Sequence, residues 1–93
     1  MSLSPANWHS RFTQQAGWTR QIRQYLYQRA GLAHARRVLD VGCGTGALLA
    51  ELDELTPADV YGLDIDSHFL VLAASQDRAH LAQGDAHCLR GIF

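Results

Sequence analysis

Three glycines fall within five residues, Gly42, Gly44 and Gly46, directly after the apolar run Val38, Leu39 and Val41. Such a segment reads as a strand that passes through a tight turn into a helix. Val38, Leu39 and Val41 suit a parallel strand covered on both faces. The glycines open backbone conformations closed to other residues and let the main chain come close to a bound group. Ala47, Leu48, Leu49, Ala50, Glu51 and Leu52 are then a run of good helix formers. Turns of this kind sit at the C-terminal ends of parallel strands, where α/β folds bind nucleotide-type ligands.

The remaining sequence builds a frame for that turn. Residues 1–12 read as an irregular or short helical lead-in anchored by Trp8 and Phe12, with helix from about Thr13 to Ala30. Trp18, Ile22, Tyr25 and Leu26 recur at steps of three and four, which places them on one helix face. Gly17 is a point at which that helix can split, and Gly31 is a natural stop. Beyond the turn, helix is expected to about Leu55, where Thr56 and Pro57 break it. Val60 to Ile65 reads as a second strand. Asp66 or Ser67 then caps a helix to Gln76 with Phe69, Leu70, Leu72 and Ala73 inward. A short third strand, Ala79 to Gln83, ends at Gly84 and Asp85. Strand alternating with helix predicts a Rossmann-like α/β/α sheet of parallel strands in the order 3-2-1. The expected division is a helical leader over 1–36 and a ligand-binding unit over 37–93.

Charge is unevenly spread. Arg11, Arg20, Arg23, Arg29, Arg36 and Arg37 all come before the first acid, Asp40, and the chain has no lysine. A basic arm on an acidic body can serve an anionic surface, but six arginines over this length are not a dense patch. The simpler reading is an arm that lies against its own acidic partner. No apolar run approaches the roughly 20 residues that span a membrane, and the N-terminus has no secretory pattern. Two cysteines suggest no disulfide framework, so a reducing cytoplasm is the default.

The turn fits two ligand patterns. Gly42, Gly44 and Ala47 formally satisfy the dinucleotide fingerprint G-x-G-x-x-G/A, a weak match when alone. Asp40, Gly42, Gly44 and Gly46 satisfy acid-x-Gly-x-Gly-x-Gly as well. A pyrophosphate wants backbone N–H groups and disfavours carboxylates. Here Asp40, Asp64, Asp66 and Asp85 surround one mouth, which suits a ligand with positive groups and ribose hydroxyls. S-adenosylmethionine carries both.

The segments Val38 to Gly46, Val60 to Asp66 and Gln83 to Ala86 resemble, in order and spacing, the first three motifs of class I S-adenosylmethionine-dependent methyltransferases. The arm with Trp8, Phe12, Ala16, Trp18, Arg20 and Arg23 is similar to the leader that many of these enzymes carry. The resemblance implies roles. Asp40 would orient the methionine end of the cofactor. Gly42, Cys43, Gly44 and Gly46 would pass beneath that end and the ribose. Asp64 would accept from both ribose hydroxyls, Ile65 would pack on the adenine, Asp85 would accept from its amino group and the Ala86 N–H would donate to the ring. The acceptor expected is a small molecule, with no membrane or nucleic acid as partner.

The resemblance also implies a sheet larger than three strands, so the chain reads as the first part of a domain, with no catalytic base to name. The free edge of the first strand, and the apolar residues from Leu89 to Phe93, then call for an oligomer or a partner chain. Two other readings stand beside this one, an interaction module derived from the fold and a fragment of a nicotinamide-dependent oxidoreductase. Asp66 reads as a helix cap. Cys88 beside His87 is too small a set for a metal, and His9, His34, His68 and His80 share no spacing. Trp8, Trp18, Tyr25 and Tyr27 read as the packed core of the leader.

Overall fold

Ser4 and Pro5 begin the first helix earlier than its apolar spacing suggests. In the computed structural model, which describes residues 3–76 and 79–91, helix α1 spans Pro5–Trp18. Ser4 Oγ accepts from the Asn7 N–H at 3.2 Å and Pro5 occupies the first turn, a strong combined start signal. The lead-in expected over residues 1–12 is therefore mostly regular helix. The break comes at Thr19, two residues after Gly17, and α2 follows over Arg20–Ala30. Gly31, in the left-handed region with φ 78°, ends α2. A short 3₁₀ turn, Leu32–His34, leads to strand β1, Arg37–Val41. The glycine turn opens into α3, Leu49–Leu55, and then β2, Asp59–Asp64. Helix α4 is Ser67–Gln76, strand β3 is His80–Gln83, and a 3₁₀ segment, Ala86–Gly91, kinks at Cys88. Ile92 and Phe93 lie outside the described residues.

The three strands form one parallel sheet with β2 between β1 and β3. Val38 pairs with Val60 and Val41 with Leu63; Tyr61 pairs with His80 and Asp64 with Gln83. Two crossovers of one hand that advance in one direction put their helices on the same face. The core shows it: Leu49 and Leu52 of α3 cluster with Leu70 and Ala73 of α4 and with Val60 and Cys43. Val38, Leu81, Tyr27 and Leu32 pack around that cluster.

Two expectations about burial are corrected. Leu39 and Val41 are 37% and 46% exposed, so β1 is not covered on both faces. The physical reason is that α3 and α4 share the opposite face. Nor is the apolar stripe of the arm a packed core: Trp18, Ile22, Tyr25 and Leu26 are all more than half exposed. Helix α2 docks instead through polar groups. Arg23 donates from Nε and Nη2 to the two oxygens of Glu51 on α3, at 2.7 and 2.9 Å, and the Tyr27 hydroxyl donates to the same carboxylate at 3.3 Å. Arg23 of the basic arm thus lies against an acid of its own chain. That acid is held below the usual carboxylate range by the Arg23 bond, and burial raises the Tyr27 phenol to about 12.

Candidate functional site

The glycine turn is held to the end of β2 by three hydrogen bonds. The N–H groups of Gly42 and Cys43 both donate to the Leu63 carbonyl, at 2.7 and 2.9 Å. The Gly44 N–H donates to Asp64 Oδ2 at 2.8 Å, while Asp64 Oδ1 accepts from the Asp66 N–H at 2.9 Å. Gly44 has φ 57°, and a Cβ there would lie 3.2 Å from the Phe12 ring. No side chain at this position would let α1 come so close. Cys43 lines the cleft beside the turn, but its side chain is buried in the core, in the space left by Gly62.

Helix α1 closes one side. Trp8 and Phe12 stack at 5.5 Å, and both meet Phe69 of α4 edge-on, at 6.5 and 5.7 Å. His9 Nδ1 hydrogen-bonds the fully buried Thr45 hydroxyl at 2.7 Å. The contacts to Phe69 and Thr45 join residues more than thirty positions apart, and nothing local in the sequence announces them. The i, i+4 spacing of Trp8 and Phe12 marks a shared helix face, yet their partner Phe69 is visible only in the fold.

Two clefts flank Asp64. One, of about 400 Å³, is lined by Phe12, Arg23, Asp40, Gly42, Gly44 and Asp64 among others. The second, of about 200 Å³, is lined by Gly42, Asp64, Ile65, Asp85, Ala86 and His87 among others. Gly42 and Asp64 belong to both. Asp40, Gly42, Cys43, Gly44 and Asp64 therefore fall on one side, and Ile65, Asp85 and Ala86 on the other. Gly46 has φ 90° and closes the turn, its N–H donating to the Cys43 carbonyl at 3.1 Å. Ile65 is 66% exposed, an apolar surface free to take a flat ligand. Asp85 Oδ1 accepts from the His87 N–H at 2.9 Å, which fixes the carboxylate and leaves Oδ2 open. Asp66 caps α4, accepting from the N–H groups of His68 and Phe69, so it is a structural residue.

Asp40 is electrostatically the least settled of these groups. It lies half-buried, and among the described residues its carboxylate accepts no hydrogen bond. Burial, and then the Asp64 charge, push its pKa up to about 6. A carboxylate desolvated beside another carboxylate favours a nearby cation or strong donors. Among the described residues no group of three His, Cys, Asp or Glu side chains could hold a metal ion.

Comparison with known proteins agrees with this geometry. Residues 38–91 match the methyltransferase domain family. An O-methyltransferase of Aspergillus nomiae is 27% identical over 71 residues, which are 76% of this chain and 32% of that protein. Among solved structures, a SAM-dependent methyltransferase from Archaeoglobus fulgidus is 25% identical with a TM-score of 0.55, over 77% of this chain and 33% of that one. DesVI of Streptomyces venezuelae is also 25% identical, with a TM-score of 0.63, over 91% of this chain and 37% of that one. The chain spans about a third of the length of the relatives it matches. The family match runs from β1 through the glycine turn to the segment after β3, more than half of the residues, and on that ground the chain belongs to the methyltransferase domain family.

Proposed function

We propose that this chain is the cofactor-binding part of an S-adenosylmethionine-dependent methyltransferase of the cytoplasm that methylates a small-molecule acceptor. Residues 1–36 serve as its helical leader and 37–93 as the beginning of the catalytic domain. The observation that carries the reading is the set of three carboxylates, Asp40, Asp64 and Asp85, each within two residues of the end of one of three neighbouring parallel strands around one glycine turn. The small-molecule acceptor is supported by the O-methyltransferase relative. The cytoplasmic setting is supported by two free cysteines, and no helix among the described residues is long and apolar enough to cross a membrane.

The two clefts divide the cofactor between them. Asp40 takes the ammonium of the amino-acid end in the larger cleft, where a positive group relieves its desolvation and the repulsion from Asp64. Gly42, Gly44 and Gly46 keep side chains out of the space beneath that end. Asp64, common to both clefts, accepts from the ribose hydroxyls; each oxygen holds one backbone N–H and keeps a further acceptor site. In the smaller cleft Ile65 packs on the adenine, Asp85 accepts from its amino group and the Ala86 N–H meets the ring. Once bound, S-adenosylmethionine supplies a methyl group activated by a sulfonium. The chain's part is to hold it still and oriented, which is where most of the rate of an in-line displacement comes from.

Calorimetric titration of the chain with S-adenosylhomocysteine tests the reading. Saturable binding, weakened at least tenfold in Asp64→Ala, is the expected result. Binding of NAD without binding of S-adenosylhomocysteine would overturn it.

A further inference from the structure

Helix α2 docks with its polar side and leaves its apolar side outside. Arg23 and Tyr27 face α3, whereas Ile22, Tyr25 and Leu26 are 61%, 56% and 55% exposed. Trp18, one turn earlier at the end of α1, is 73% exposed. Large apolar side chains gathered in one exposed stripe mark a contact surface. Arg29, in the last turn of α2, continues the stripe; it is exposed, and its guanidinium has no partner among the described residues.

The order of residues in the stripe indicates what covers it. Trp18, Ile22, Tyr25 and Arg29 follow one another at steps of four, three and four, the alternation of a helix-packing seam. This series is symmetric about a point between Arg23 and Gln24. Two copies of α2 crossing antiparallel on a two-fold axis at that point set Ile22 opposite Tyr25 and Trp18 opposite Arg29, each pair occurring twice. An indole face opposite a guanidinium is an attractive pair. The two copies of Arg29 stand about 16 Å apart along the axes, beyond the Debye length of about 8 Å at physiological salt, so their repulsion is screened. By helical spacing Gln21 and Gln28 border the seam on one side and Leu26 on the other. An antiparallel pair brings like borders together: leucine meets leucine, and each amide, both donor and acceptor, meets an amide. A partner of unrelated sequence has no need of this symmetry.

We propose that the exposed stripe of α2 is a self-association surface, on which a second copy of this chain packs antiparallel with Trp18 of each copy against Arg29 of the other. The proposal is independent of the cofactor reading, because none of the stripe residues lines either cleft beside Asp64. One helix from each copy makes a small interface, so the dimer is of micromolar strength and its energy is concentrated in the aromatic and arginine anchors.

Sedimentation equilibrium of the full chain without ligand tests it, with circular dichroism to confirm the fold of each variant. The wild type is expected to form dimers and nothing larger. Trp18→Arg sets guanidinium against guanidinium and is expected to weaken the dimer at least tenfold. Trp18→Arg combined with Arg29→Trp in one chain restores both pairs in reverse, and its dimer is expected to return to within about threefold of the wild type. A stripe that serves any other contact gives no such rescue, so a double variant as weak as Trp18→Arg overturns the proposal. A dimer indifferent to Trp18→Arg forms elsewhere, as at the free edge of β1, and also overturns it. So does a wild type that stays monomeric up to about 1 mM and instead sediments with phosphatidylserine vesicles, the behaviour of a membrane-facing stripe, or with nothing at all. Should Trp18→Arg fail to fold, Ile22→Gln decides: an undiminished dimer overturns the proposal, and a loss of tenfold or more supports it.

Discussion

The Gly44 N–H donates to the carboxylate of Asp64 at 2.8 Å, so the first turn of the sheet is tied to the end of its central strand. One side chain thereby both shapes the glycine turn and stands between the two clefts. Asp64→Asn and Asp64→Ala should separate these duties. The amide keeps an acceptor for Gly44 and should leave unfolding free energy within about 1 kcal/mol, while affinity for S-adenosylhomocysteine falls roughly tenfold or more. Alanine should lose affinity as well and cost a further ~1–3 kcal/mol of stability, because the Gly44 N–H is left without its partner. Urea denaturation beside calorimetric titration reads both.

As the proposed partner of the cofactor's ammonium, Asp40 should make affinity depend on pH. With its pKa raised to about 6 in the free chain, the carboxyl is protonated below that value and cannot attract an ammonium. Affinity for S-adenosylhomocysteine should rise with pH through about 6 and then level, and below 6 binding should release protons. The stability of the free chain runs the other way. The folded pKa stands above the ordinary 3.8, so the folded form holds the extra proton; that contribution is complete below 3.8 and is lost as pH rises through about 6. Asp40→Asn should therefore melt at higher temperature than the wild type at pH 8 and bind the ligand less well. Titrations in buffers of different ionisation enthalpy, with melting curves at each pH, check both signs.

Gly62 has been given no part in ligand binding, yet it should be among the least replaceable residues. A Cβ there would lie 2.9 Å from both Cys43 Sγ and Leu81 Cδ2, inside the central strand. Gly62→Ala should destabilise by ~1–3 kcal/mol through overpacking. Adding Cys43→Ala removes one of the two clashes and should recover part of the loss in denaturant titrations.

Thr45 and His9 hold α1 over the turn, and the fully buried Thr45 side chain has no route to solvent. Thr45→Val keeps the shape and removes the bond, at about 1 kcal/mol. Amide exchange should quicken along α1 and stay unchanged in β2, since the loss falls on a local opening.

Much of this was legible in the chain. The parallel α/β class and the strand ends carrying Asp40 and Asp64 followed from periodicity and from glycine spacing, both local signals. The cap at Asp66 followed from the same kind of signal. Burial was not legible where it depends on which face a neighbour occupies. Leu39 and Val41 look like core residues, but α3 and α4 lie on the other side of the sheet. The stripe from Trp18 to Leu26 has helical spacing, whereas α2 docks by Arg23 and Tyr27 on Glu51, a pairing across 28 and 24 positions that no periodicity encodes. The same holds for the Phe12 ring over Gly44.

The distance along the chain between α1 and what it touches has a consequence for synthesis. Trp8, His9 and Phe12 leave the ribosome well before Thr45, and earlier still than Phe69, the partners that fix them. α1 can form its turns early, capped by Ser4, but it has nowhere to dock until α4 is complete. Helix α1 therefore waits for α3 and α4 before it can dock, and until then its aromatic face is open to whatever else the growing chain or the cell presents.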